Sequence, residues 1–73
     1  MQDLILQFEK DLRQYLDSVY TASIEKDEII KLDEIEKNAN DYIDNYLLQT
    51  NLIVGDVSLS VQHILDEFIK SKI

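Results

Sequence analysis

The single histidine, His63, has Asp66 three residues on and Glu67 four residues on. On a helix these three side chains share one side, a spacing that could supply a metal ligand pair or simply be a solvated helix face. The segment Asn38, Asn40, Asp41 and Asp44 is rich in oxygen donors of the kind calcium selects. It lacks the turn-forming Gly and the terminal bidentate Glu of a calcium loop. There is no Cys and only one Gly, which excludes thiolate zinc sites, Cys–His nucleophiles and glycine-rich phosphate loops. Carboxylates are plentiful, but their spacing puts them on solvated helix faces, where nothing tunes them for acid–base chemistry. The expectation is a non-enzyme without catalytic residues, bound metal or cofactor.

The elements that carry these residues read as helices. Between Asp3 and Ala22, Leu4, Ile5, Phe8, Leu12, Tyr15, Leu16, Val19 and Ala22 recur at helical spacing. Polar residues fill the opposite side, and Glu9 and Arg13 form an i,i+4 pair in the favourable order. From Asp27 to Thr50, Leu32, Ile35, Ala39, Ile43 and Tyr46 form a second stripe, with Ile29, Tyr42 and Leu47 at its margins. This is the longest uninterrupted run, about 36 Å if helical. Ser23 or Asp27 can cap its start. Gly55, or alternatively Asn51, is the candidate for the left-handed position that ends it. Asp56 then reads as the cap of a third helix, Val57 to Lys72, built on Val57, Val61, Ile64, Leu65 and Phe68. An alternative for 52–61 is a β-hairpin, because Val57–Val61 alternates with period two and Gly55-Asp56 follows an aliphatic run. The fold expected is all-α: one domain over 1–73, a three-helix antiparallel bundle (about 3–22, 27–50 and 57–72) with a long central helix as its spine. Phe8, Leu12, Ile35, Ile43, Ile64 and Phe68 lie mid-stripe and form the expected core.

Seventy-three residues with 45% hydrophobic content suffice for one thin core. Leu6, Tyr20, Ile30, Leu48, Leu59, Ile69 and Ile73 miss the stripes. They suggest a second buried surface, most simply a homodimer contact. Fifteen acids against seven bases give a net charge of −8. No Lys or Arg occurs between Lys37 and Lys70. Such a surface repels phosphate backbones and anionic lipid, and suits a basic protein partner. No apolar run approaches the roughly 20 residues of a membrane span, and the N-terminus is unlike a signal peptide, so a cytoplasmic protein is expected. The residues expected to meet a partner are Glu34, Asp41, Asp44, Leu48, Leu59 and Ile69. The function this points to is a protein–protein interaction module, in the manner of small inhibitors, antitoxins, immunity proteins or phage-type regulators.

Two stretches carry resemblances. Gly55-Asp56-Val57-Ser58-Leu59-Ser60-Val61-Gln62-His63-Ile64 resembles the turn and recognition helix of helix-turn-helix proteins, over residues 47–66. That resemblance implies the alternative function, a DNA-binding transcriptional regulator presenting Ser58, Ser60, Gln62 and His63 to bases. Asn51 stands where that family has a small residue, and no Arg or Lys lies in the segment to hold phosphate. Ser58-Leu59 also resembles the prosthetic-group site of acyl carrier proteins, with Val57 in place of that family's Asp.

Overall fold

A computed structural model describes residues 2–72. It contains three helices, α1 (Gln2–Ala22), α2 (Glu28–Thr50) and α3 (Val54–Lys72). The described chain is 89% helical and has no strand. On α1 and α2, Tyr46 lies beside Phe8, Tyr42 beside Tyr15 and Glu28 beside Tyr20, so the two helices run antiparallel. Leu4 shares a hollow with Ile53 and Asp56, Leu16 lies with Ile64, and Tyr20 lies against Phe68. Helix α3 therefore runs parallel to α1 and antiparallel to α2, in a bundle extending 39 × 20 × 17 Å.

Local chemistry explains the helix ends. Asp27 is extended (φ −80°, ψ 117°) and its Oδ1 accepts from the N–H groups of Ile29 at 3.0 Å and Ile30 at 3.2 Å. Two of the donors that the first turn leaves without helical partners are thereby satisfied. Glu25 Oε1 in turn accepts from the Asp27 N–H at 3.1 Å. The far end of α2 stops at Asn51, whose left-handed backbone (φ 61°, ψ 21°) fills the C-terminal position that Gly or Asn favours. Gly55 does not have a positive φ and lies inside the first turn of α3. The expected helix start at Val57 is thus three residues late, and Asp56 is a first-turn acid rather than the cap. The turn closes through the Asp56 N–H, which donates to the Ile53 carbonyl at 2.9 Å. With Asn51 taking the reversal, Val54–Val61 is helical, and the hairpin alternative is set aside.

The core draws on all three stripes: Phe8, Leu12 and Leu16 from α1, Leu32, Ile35, Ala39, Ile43 and Leu47 from α2, and Val57, Ile64 and Phe68 from α3. All six expected core residues are among them. Phe8, Leu12 and Leu16 are no more than 1% exposed, a degree of burial that among the described residues only Ala39 and Val57 share. Helix α2 is the longest at 23 residues, but α1, at 21, packs extensively on both of the others, while α2 and α3 touch least. Tyr20, which misses the apolar stripe in sequence, belongs with the core. Its ring meets Phe68 edge-on at 5.9 Å, and its hydroxyl donates to Glu28 Oε1 at 2.6 Å. The Nζ atoms of Lys31 and Lys72 both lie 4.6 Å from the ring centroid, a cation–π arrangement joining all three helices.

Truncating Phe8 or Phe68 to Ala should cost about 3–5 kcal/mol, and Asp27→Ala about 0.5–2 kcal/mol. Leu48→Ala, on the surface, should stay within about 0.5 kcal/mol of wild type. Urea unfolding followed by circular dichroism measures all four.

Candidate partner-binding surface

Among the exposed large hydrophobics of the described residues, Ile24, Ile29 and Ile30 lie about the α1–α2 connection, while Leu48, Ile53 and Val54 lie where α2 turns into α3. Asp44, Leu47, Leu48, Leu52 and Val54 line one hollow there. A neighbouring cleft of about 260 Å³ is walled by Asn40, Ile43, Asp44 and Leu47 from α2 and by Val54, Val57, Ser58, Val61 and Gln62 from α3. Leu48 is 78% exposed, Ile53 66% and Val54 62%, so these aliphatic groups face water. The two hollows share Asp44, Leu47 and Val54, which makes them one continuous groove along the seam of α2 and α3. It exists because α2 and α3 both pack on α1 and barely on each other.

Of the residues expected to meet a partner, Glu34, Asp41, Asp44 and Leu48 fall on one stripe of α2, spaced seven, three and four residues apart. All four are exposed. Asp44 and Leu48 line the groove, and Asp41 lies one turn before Asp44 along that stripe. Glu34 lines a separate open hollow beside the α1–α2 connection, with Val19, Ile24 and Asn38. Leu59 is 80% exposed on the outer side of α3, away from the groove. Ile69 packs partly against the core and so is not free surface. Ile73, expected beside it, lies outside the described residues. Sequence reasoning missed Leu52, Val54 and Val61 as groove walls. It placed the first two in a connecting loop, whereas the early start of α3 turns Val54 toward α2.

The residues whose spacing could hold a metal ion sit on open surface. His63 Nε2 contacts the Glu67 carboxylate one turn on, and both side chains are more than half exposed. Among the described residues no three His, Asp or Glu groups converge as a metal site would require. Nor is any described polar or charged residue buried.

The marked titration shifts lie instead on the tyrosines between α1 and α2. Tyr15 and Tyr42 stack at 4.1 Å and 9°, and Tyr46 meets Phe8 at 5.1 Å. The Tyr46 hydroxyl donates to Asp11 Oδ2 at 2.8 Å, and Gln7 Nε2 donates to Asp11 Oδ1 at 2.8 Å. Burial, followed by the bond to the Asp11 carboxylate, pushes Tyr46 up to about 12. Burial and then the Asp11 charge raise Tyr42, while the hydrogen bond to Glu28 is the leading cause that raises Tyr20. These groups join helices and keep their protons at neutral pH.

Comparison with known proteins finds no matching family model, no matching curated protein and no matching solved structure.

A phenol whose folded pKa exceeds its unfolded value of about 10 stabilises the fold fully below that pH. The contribution is lost as pH rises from about 10 through the folded value near 12. Tyrosinate absorbance should therefore show Tyr46 ionising last, and the melting temperature should fall across that window. Tyr46→Phe, which has no phenol to ionise, should lose less stability over the same interval.

Proposed function

We propose that this chain is a small, acidic, non-enzymatic protein–protein interaction module, of the inhibitor, antitoxin, immunity or phage-type regulator kind, acting in the cytoplasm on a partner with a basic surface. The observation that carries this reading is the coincidence of exposed aliphatic side chains with a surface free of cations. Leu48, Ile53 and Val54 are more than 60% exposed, and no Lys or Arg occurs from 38 to 69. Exposed apolar area supplies affinity on docking, and the acidic surround speeds encounter with a basic protein and discriminates against acidic ones. The long helix α2 serves as the docking spine, since it presents the acidic stripe and one wall of the groove.

Immobilised protein should retain a basic protein from a cell extract, and the same protein, once identified and purified, should rebind with an affinity that falls as salt rises. Duplex DNA should not be retarded even at low salt. Sequence-specific DNA binding at physiological salt that Gln62→Ala with His63→Ala weakens would replace this reading with the helix-turn-helix alternative.

The outer face of α3 supports a two-fold homodimer within the same reading. Leu59 projects there with Lys70 on the same stripe, which relieves the repulsion between two acidic chains, whereas Lys72 lies over the Tyr20 ring. Because Ile69 is partly spent on the core, Leu59 carries the contact. Sedimentation equilibrium at micromolar concentration should show a dimer, and Leu59→Asp should dissociate it with helix content unchanged. A monomer at every concentration removes the dimer and leaves the partner-binding reading standing.

A further inference from the structure

The groove between α2 and α3 has a definite length, floor and rim. Its floor is aliphatic: Ile43 and Leu47 from α2, Val57 and Val61 from α3. From Asn40 to Leu48 the α2 wall spans nine residues, about 12 Å, or a little over two helical turns. The two hollows, of about 430 and 260 Å³, are both open along the surface, whereas a small-molecule site encloses most of its ligand. An open trough between two helices suits a third helix laid along it, with aliphatic anchors on one side.

Charge selects among helices. The rim carries Asp44, with Asp41 a turn away on the same stripe, and Ser58 and Gln62 stand opposite. No Lys or Arg lines the groove. The nearest preceding base in sequence, Lys37, pairs with Asp33 at 3.4 Å. A second copy of this chain would bring Asp44 toward other carboxylates on a molecule of net charge −8. A helix with Lys or Arg beside its aliphatic stripe meets the rim with opposite charge while its apolar side covers Leu48 and Val54.

Resting on the interaction-module reading above, we infer that the α2–α3 groove is a docking site for a cationic amphipathic helix of another protein, with aliphatic anchors over Leu48, Val54 and Val61 and a basic side chain at Asp44.

The probe is a synthetic Leu/Lys peptide of about 15 residues, long enough to take up helix when bound. Added to the full chain, it should shift the amide resonances of Asp44, Leu48, Val54, Val57 and Val61. A Leu/Glu peptide of the same pattern and a Ser/Lys peptide of the same charge should bind about tenfold more weakly or not at all. Asp44→Lys with Leu48→Ser, both on exposed positions, should weaken the Leu/Lys peptide about tenfold. Asp66→Lys, an acid of the outer α3 face, should have much less effect. Equal binding of the Leu/Lys and Ser/Lys peptides would overturn the groove in favour of diffuse charge attraction. Unchanged binding to the Asp44→Lys, Leu48→Ser variant would overturn it too. If that variant still captures the basic partner, only the groove assignment fails; if wild type captures none, the broader reading fails as well. Self-association abolished by the same two substitutions would make the occupant a second copy and overturn the cationic-helix assignment.

Discussion

Everything in this bundle depends on burying one stripe of α1. Phe8, Leu12 and Leu16 are sealed from water, which requires cover from both sides, and only two other helices exist to supply it. Helix α2 covers them with Leu32 through Leu47, and α3 with Val57, Ile64 and Phe68. Burial at roughly 25 cal/mol per Å² of apolar area drives this arrangement, and conformational entropy offsets most of the gain. In so small a chain the consequence is geometric. Committing α2 and α3 to α1 leaves their mutual seam incompletely closed, and Leu48 and Val54 beside it remain at the surface.

Polar groups are arranged around that constraint rather than inside it. With no described polar residue buried, the core incurs no desolvation cost for unpaired charge. The tyrosines occupy the boundary, rings inward and hydroxyls on carboxylates: Tyr46 on Asp11 and Tyr20 on Glu28. Each such bond joins two helices and fixes their register, which a purely aliphatic contact would leave looser. Tyr20 adds two lysines from different helices, so an aromatic ring and three charged side chains close the end of the bundle where α1 stops.

Acidic side chains lie beside the open seam. The Asp41 and Asp44 carboxylates on α2 act over roughly 8–10 Å at physiological salt, which reaches the seam but does not organise the fold. The core and the acidic surface therefore draw on different residues of the same helix. Leu32, Ile35, Ala39 and Ile43 face α1 and the core, while Asp41, Asp44 and Leu48 face outward.

Periodicity alone determined the number of helices, their type and the core stripe, because a side chain every 3.6 residues declares which face must leave water. Asp27 as a cap was legible for the same local reason: a carboxylate beside free N–H groups needs nothing distant. The start of α3 was not, because Asn51 and Gly55 both suit a left-handed turn by type. Which of them takes it depends on where α3 must begin to place Val57 against α1. Tyr20 was likewise assigned to the wrong side, since its partners, Glu28, Lys31, Phe68 and Lys72, come from two other helices that no local spacing brings near. Of the surface residues, Asp44 and Leu48 were readable as exposed, but that they wall a groove with Val54, and that Ile69 folds back onto the core, was decided by tertiary packing. A single helix records its own faces in its sequence; the space between two helices belongs to neither.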